Sequence, residues 1–373
     1  MNYKLEDLVR IAKRDNNSIR PYLYVDPLQG KHLSVNPGKS MDLFQEMAGL
    51  LEEKYPKERI LVIGFAETAT GIGAAVAYFG SNVAFMSQTT RENIENSNYL
   101  YFTESHSHAK EQGIIIDNYS EVLKKVDRIV FVEDEVTTGN TIMKLVTALN
   151  ETFPEFKMKY TILCILNSMK ETRMAELAQL DVDCLYIARM EFEYKVNEID
   201  KYQYEDCKHQ KVSSDSSMAN EILVHDICDM RVIKPKDLYI EACDGFVEKV
   251  LSRLVIKKEY KKILVLGTEE FMFLPMYFAK ELQDQYRNCK VEFHATTRSP
   301  IMISKDEGYP LFNRYTISSF YEENRITFIY NLEKYDYVIV ITDSQTDTSG
   351  GQQLIAALEA QGNENIQIVR WCK

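Results

Sequence analysis

Residues 128–153 read RIVFVEDEVTTGNTIMKLVTALNETF, and the fold is decided in this stretch. Residues 129–132, IVFV, form a short continuous apolar run of the kind found in a parallel strand buried on both faces. From Thr141 the apolar residues recur at helical spacing and stop before Pro154. Between strand and helix stand two acids, Glu133 and Asp134, followed by small hydroxyl, amide and glycine residues that tolerate a tight turn. A strand that turns straight into a helix is the repeating unit of a doubly wound α/β fold, whose ligands sit at the carboxyl ends of the strands.

The alternation continues on both sides. MDLFQEMAGLLEEKY (41–55) reads as a helix, RILVIGF (59–65) as a strand and GIGAAVAYFG (71–80) as a small-residue helix. SNVAFMSQTT (81–90) reads as a strand, SEVLKKV (120–126) as a helix and KYTILCILN (159–167) as a further strand. Between about residues 190 and 236 the pattern gives way to polar sequence that includes KHQKVSSDSSMANE, which reads as a linker or irregular segment.

Beyond it the first half is echoed. ILVIGFAE (60–67) returns as ILVLGTEE (263–270), TTR (89–91) returns at 296–298, and DRIVFVEDEVT (127–137) returns as DYVIVITDSQT (336–346). The order is kept and the separation drifts from 203 to 207 to 209 residues, as expected of two related α/β domains. The expected division is 1–200 for a first domain with an N-terminal hood, 201–235 for a linker and 236–373 for a second α/β domain of related topology.

Composition narrows the function. A chain of 373 residues, 45% hydrophobic and 27% charged, suits two ordinary domains. Its apolar runs fall short of the roughly 18 residues of a membrane helix, and its start lacks the apolar middle of a signal peptide, so a cytoplasmic protein with no membrane partner is expected. A net charge of -12 argues against a general nucleic-acid surface, which needs clustered Lys and Arg. The seven cysteines contain no C-x-x-C pair, which favours reduced core thiols over zinc or disulfides.

The turn TTGNT leaves N–H groups and hydroxyls converging at a helix N-terminus, where free donors and the helix dipole favour an anion. Carboxylates beside a bound sugar phosphate accept hydrogen bonds from ribose hydroxyls and draw in Mg²⁺. A strand ending in a solvated helix cap is the plainer reading, but a cap needs a single Thr or Asp.

An apolar run, two acids and T-T-G-x-T resembles the phosphoribosyl-pyrophosphate-binding loop of type I phosphoribosyltransferases, with Glu135 an unusual third acid. The resemblance implies that Glu133 and Asp134 hold ribose and Mg²⁺, and that Thr137, Thr138, Gly139, Asn140 and Thr141 hold the phosphate. GFAETATGIG (64–73) lies where this family keeps its pyrophosphate loop, which implicates Glu67, Thr68, Ala69, Thr70 and Gly71; a glycine-rich strand-to-helix turn is also common in any α/β fold. Enzymes similar to orotate phosphoribosyltransferase close a loop over the leaving group, and Arg91, His106, His108 and Lys110 are what residues 89–113 offer for catalysis. The two histidines read alternatively as half of a metal site or as solvent-exposed. LYVDPLQGKHLSVNPGKS (23–40) suits a hood, with Lys31 and His32 as acceptor-binding residues or as part of a surface loop.

These motifs together are similar to the phosphoribosyltransferases found with tellurium-resistance and stress-response genes, in which a TRSP domain follows the catalytic one. VLGTEEFMFLPMYFA and ATTRSPI carry that part of the resemblance. It implies transfer of ribose 5-phosphate to a nucleobase-like small molecule, and a homodimer is compatible with it. A non-catalytic sensor of the same sugar phosphate, or a phosphoribosyl pyrophosphate synthetase, stays open. In the second domain Thr342 and Asp343 replace the acid pair and Asp347 stands where phosphate would be repelled, so it reads as degenerate scaffold or partner surface, or as a site for a less charged ligand.

Overall fold

The computed structural model describes residues 3–15, 20–102, 111–190, 197–205 and 221–373. The chain forms two compact units that are not consecutive in sequence. Met1–Leu5, Met41–Phe192 and Cys228–Ala242 make the first, and Glu6–Ser40, Glu193–Ile227 and Cys243–Lys373 the second.

The first unit is built on strands β1 (Ile60–Gly64), β2 (Val83–Gln88), β3 (Arg128–Val136), β4 (Lys159–Asn167) and β5 (Val182–Arg189). They lie in the order β2-β1-β3-β4-β5, all parallel. Ile60 to Ile63 and Ile129 to Val132 are fully buried, which is why these strands read as unbroken apolar runs. Each such side chain contributes roughly 1.5–3 kcal/mol by leaving water. At the amino end of β3 the buried Arg128 pairs with Glu58 at 2.6 Å and lies 3.7 Å from the centre of the Tyr55 ring. The opposite, carboxyl ends are left for chemistry.

Helix α1 (Ala69–Phe79) follows β1, α2 (Asn140–Thr152) follows β3 and α3 (Glu171–Gln179) follows β4. The small residues of α1 let it press onto β1: a Cβ on Gly73 would lie 2.7 Å from the Gly64 Cα. Gly73 therefore serves helix-to-strand packing.

The second unit repeats this plan. Its strands are β6 (Glu221–Val224), β7 (Lys262–Gly267), β8 (Lys290–Ala295), β9 (Tyr337–Thr342) and β10 (Ile366–Trp371), parallel in the order β6-β10-β9-β7-β8. Read from the other edge, β8-β7-β9-β10 matches β2-β1-β3-β4. A hairpin also separates the second and third strands in each unit, Tyr99–Tyr101 with Gly113–Ile115 in the first and Arg314–Ser318 with Ile326–Tyr330 in the second. Helices α4 (Phe273–Gln285) and α5 (Gly350–Ala360) occupy the places of α1 and α2. The sequence echo is thus a repeated topology.

Two features depart from the linear division. The polar stretch expected to be a linker supplies the edge strand β6 of the second sheet, and Lys234–Pro235 pairs antiparallel with β2 at the edge of the first. The expected hood belongs to the second unit. Gly30, at φ 74°, has no room for a Cβ, which would lie 2.4 Å from Phe293, and Val35 exchanges backbone hydrogen bonds with Phe293 at 2.9 and 2.8 Å. No helix among the described residues is long and apolar enough to cross a membrane. Six of the cysteines are free thiols; Cys207 lies outside the described residues.

Candidate active site

Three loops leave the carboxyl ends of neighbouring strands β1, β2 and β3, and most of the expected site residues lie on them or on the strand ends and first helical turns that flank them. Strand β3 continues through the acids to Val136. Thr137 and Thr138 are exposed, and Gly139 takes the left-handed conformation, φ 69° and ψ 7°, that lets the chain enter α2 at Asn140. Helix α2 is anchored by Ile142, Leu145, Val146 and Leu149, all buried, so its N-terminus is fixed at the end of β3. Gly139 provides no side-chain cap. The Asn140 N–H donates to Thr138 Oγ1 at 3.3 Å, whereas the N–H groups of Gly139 and Thr141 donate to no protein acceptor among the described residues. A first helical turn with spare donors and the positive end of its dipole suits an anion.

Immediately before this turn the acids lean on one another's backbone. The Asp134 N–H donates to Glu133 Oε2 at 3.3 Å, and the Glu135 N–H donates to Asp134 Oδ1 at 2.8 Å. Burial, reinforced by the Asp134 carboxylate, pushes the Glu133 carboxyl well above the usual carboxylate range. Such crowded negative charge suits a cation. Among the described residues, however, no three His, Cys, Asp or Glu side chains converge to hold a metal ion. The acids therefore fit Mg²⁺ only as partial ligands to an ion that brings phosphate oxygens and water with it.

The β1 loop turns through a cis peptide at Ala66–Glu67. The Ala66 N–H donates to Thr89 Oγ1 at 2.8 Å, and buried Gln112 donates through Nε2 to Ala66 O at 3.0 Å and to Thr89 Oγ1 at 2.7 Å. Thr70 Oγ1 donates to Glu67 O at 3.1 Å. Glu67 and Thr68 are half-buried at the loop, while Ala69, Thr70 and Gly71 are buried in the first turn of α1. Arg91 is half-buried just beyond β2. His106, His108 and Lys110 lie outside the described residues.

Lys31 and His32, expected beside the acceptor, are buried within the second unit, where Lys31 Nζ donates to Glu269 O at 2.5 Å. Their place is set by the backbone pairing of Val35 with Phe293, a long-range choice that local sequence does not announce. Two residues of the first unit escaped sequence reasoning. Gln112 braces the β1 loop, and Arg173 of α3 donates to Thr138 O at 3.0 Å and to Asn140 Oδ1 at 3.1 Å. Neither stands in a motif; only folding brings them to these loops.

The same position in the second unit is filled by the protein itself. Glu269, fully buried, pairs with Arg298 at 2.8 Å and Arg325 at 3.1 Å, and Arg298 also reaches Glu270 at 3.2 Å. Tyr321 donates to Asp343, and Thr268 and Thr342 hydroxyls meet at 2.9 Å. At the N-terminus of α5 the Ser349 N–H donates to Glu323 Oε2 at 2.7 Å.

Residues 8–192 match the family described as phosphoribosyl transferase, and residues 238–358 match the TRSP domain that lies C-terminal to it. No curated protein matches the chain in sequence. Among solved structures, adenine phosphoribosyltransferase from Saccharomyces cerevisiae is 11% identical with a TM-score of 0.33, over 49% of this chain and 96% of that one. Orotate phosphoribosyltransferase from Aeropyrum pernix is 13% identical with a TM-score of 0.31, over 48% of this chain and 88% of that one. Adenine phosphoribosyltransferase from Trypanosoma brucei is 11% identical with a TM-score of 0.31, over 48% of this chain and 76% of that one.

Proposed function

From the premise that this chain is a phosphoribosyltransferase with a C-terminal TRSP domain, we propose that the first unit transfers ribose 5-phosphate from phosphoribosyl pyrophosphate to a ring nitrogen of a nucleobase-like acceptor. The observation that carries this reading is the turn from β3 into α2, where the spare N–H groups of Gly139 and Thr141 directly follow the Glu133–Asp134 pair.

In this reading Thr137 to Thr141 bind the 5-phosphate, and Glu133 and Asp134 accept hydrogen bonds from the ribose hydroxyls. The loop at Glu67 to Gly71 and Arg91 face the pyrophosphate. The acceptor nitrogen attacks C1 of the ribose while the bond from C1 to the pyrophosphate oxygen breaks; pyrophosphate departs with the bonding electrons, and the acceptor's N–H proton passes to solvent water. The transition state is loose and oxocarbenium-like, so the protein contributes position and charge rather than a covalent intermediate. Bound Mg²⁺ supplies neutralisation of the leaving group, with Glu133 and Asp134 as its protein ligands, directly or through water. His106, His108 and Lys110 keep their proposed role in loop closure. The second unit serves as scaffold, and the tellurium-stress association remains a proposal about physiological setting.

The test is incubation of the protein with Mg²⁺, phosphoribosyl pyrophosphate and a metabolite extract, followed by mass analysis. The expected result is one compound that gains a ribose phosphate as pyrophosphate appears. Tight donor binding with no product across the extract and a nucleobase panel would instead indicate a sensor.

A further inference from the structure

The phosphate loop has no cation of its own, since Thr137 to Thr141 read TTGNT, and it is preceded by three acids. Binding a dianionic phosphate there requires that donors be held outward against that negative charge. We propose that Arg173, thirty-five positions after Thr138 in the chain, is the positioning residue that holds them, which rests on the reading of this loop as the phosphate site.

Its guanidinium touches the loop at two points. Nε donates to the Thr138 carbonyl at 3.0 Å, and Nη2 donates to Asn140 Oδ1 at 3.1 Å. A trans peptide is planar, with its C=O and N–H directed to opposite sides. Drawing the Thr138 carbonyl towards α3 therefore turns the Gly139 N–H away from α3. The second bond acts in the same sense, because engaging Asn140 Oδ1 directs the Asn140 NH₂ group away from the guanidinium. One side chain thus orients a backbone donor and a side-chain donor together, which the planar fork of arginine does and a lysine ammonium does not.

The setting keeps the guanidinium in place. Arg173 is 30% exposed and its Nη1 pairs with Glu176 at 2.9 Å, one turn along α3. Helix α3 is itself seated through buried Leu177, and Met169, just before it, lies 3.4 Å from where a Gly139 Cβ would be. Packing of Met169 and Leu177 against Gly139, whose positive φ favours glycine, brings Arg173 within reach of positions 138 and 140. The guanidinium also adds positive charge behind the loop, on the side away from the bound anion, where it strengthens attraction without competing for the amides.

The experiment compares wild type, Arg173→Met, Arg173→Lys and Glu176→Gln by calorimetric titration with phosphoribosyl pyrophosphate and Mg²⁺, by thermal melting without ligand, and by hydrogen exchange at Gly139. Arg173→Met is expected to weaken donor binding about tenfold or more, as loss of charge-assisted bonds does. It should speed exchange at Gly139 and leave the melting temperature within about 2 °C, because the freed Thr138 carbonyl can be hydrated. Arg173→Lys restores charge but not the fork and should recover less than half of the lost affinity. Glu176→Gln keeps an amide oxygen that can still accept from Nη1, so the guanidinium stays seated and this variant should bind as wild type does.

Equal binding by wild type and Arg173→Met would overturn the inference, as would complete rescue by lysine, which would make charge rather than geometry the cause. Failure of wild type to bind the donor would overturn the functional reading instead. If Arg173→Met melts well below wild type, the lysine variant decides, since it keeps the methylene packing.

Discussion

The Glu323 carboxylate accepts the Ser349 N–H at 2.7 Å at the N-terminus of α5, the place that α2 leaves to Gly139 and its uncapped donors in the first unit. Ser349 holds the Glu323 carboxyl below the usual carboxylate range, as expected of an acid serving in place of an external anion. With Glu269 also committed to Arg298 and Arg325, the loops equivalent to the donor site are already engaged within the second unit. Titration with phosphoribosyl pyrophosphate and Mg²⁺ should therefore saturate at one donor per chain, and Glu323→Ala should leave that affinity unchanged. Two equivalents of donor would show that the second unit had kept its site.

Acidity should govern donor binding through Glu133. Its carboxyl holds a proton above the usual range, first because it is buried and then because Asp134 lies beside it. Below that raised pKa the neutral acid is a poor acceptor for ribose hydroxyls or Mg²⁺, so donor affinity should rise with pH as the proton is lost. Stability should move the opposite way: the folded state binds more protons than the unfolded one, so stability is full below about pH 4 and falls as pH rises through the folded value. Glu133→Gln should then melt higher than wild type at pH 8, with the difference gone near pH 4, while binding the donor poorly. Melting curves and titrations at matched pH check both signs; a flat affinity profile would remove Glu133 from the site.

Gly73→Ala tests the packing that shapes the β1 loop. The added Cβ would sit 2.7 Å from Gly64 Cα and 3.0 Å from Gly64 N, both backbone atoms that cannot swing aside. A loss of roughly 1–3 kcal/mol is expected from such overpacking. Gly49→Ala is the control, because no atom lies within 4 Å of its Cβ and the position is inside the helix Pro37–Lys54. That change should stabilise by about 0.5–1 kcal/mol. Denaturant titration of both variants reads the contrast.

In the second unit Asp336 accepts the backbone N–H groups of Lys261 and Lys262 at 2.7 and 2.9 Å, and these bonds hold its pKa below the ordinary value. The stability it contributes is present above the unfolded value of about 3.9 and is lost as pH falls through the depressed folded value. Because the group is half-buried at the surface and its bonds are partly replaced by water, Asp336→Asn should cost only about 1 kcal/mol at pH 7. Thermal melts of the pair should draw together as the pH is taken below the depressed folded value.

The alternation of strand, turn and helix and the loops at 64–73 and 133–141 were legible because each depends on neighbours in sequence: an apolar run, a turn and a helical face; the order of the strands and the strand Val182–Arg189 were not. The echo of ILVIGFAE in ILVLGTEE extended that reading to the second unit. Partner choice at long range was not legible. Gly30 and Val35 fit the strand that carries Phe293, which commits Lys31 and His32 to the second unit. Glu221–Val224 and Lys234–Pro235 are too short to announce themselves, yet each edges a sheet. Arg173 lies in ETRMAEL, which reads as an ordinary solvated helix face until the fold brings it to Thr138.

The most direct measurement is a crystal structure of the protein with phosphoribosyl pyrophosphate and Mg²⁺. The 5-phosphate should lie at Thr137 to Thr141 with oxygens about 2.7–3.2 Å from the Gly139 and Thr141 nitrogens, and the ribose hydroxyls should face Glu133 and Asp134. A donor bound elsewhere, or a turn that stays closed to it under saturating conditions, would contradict the account.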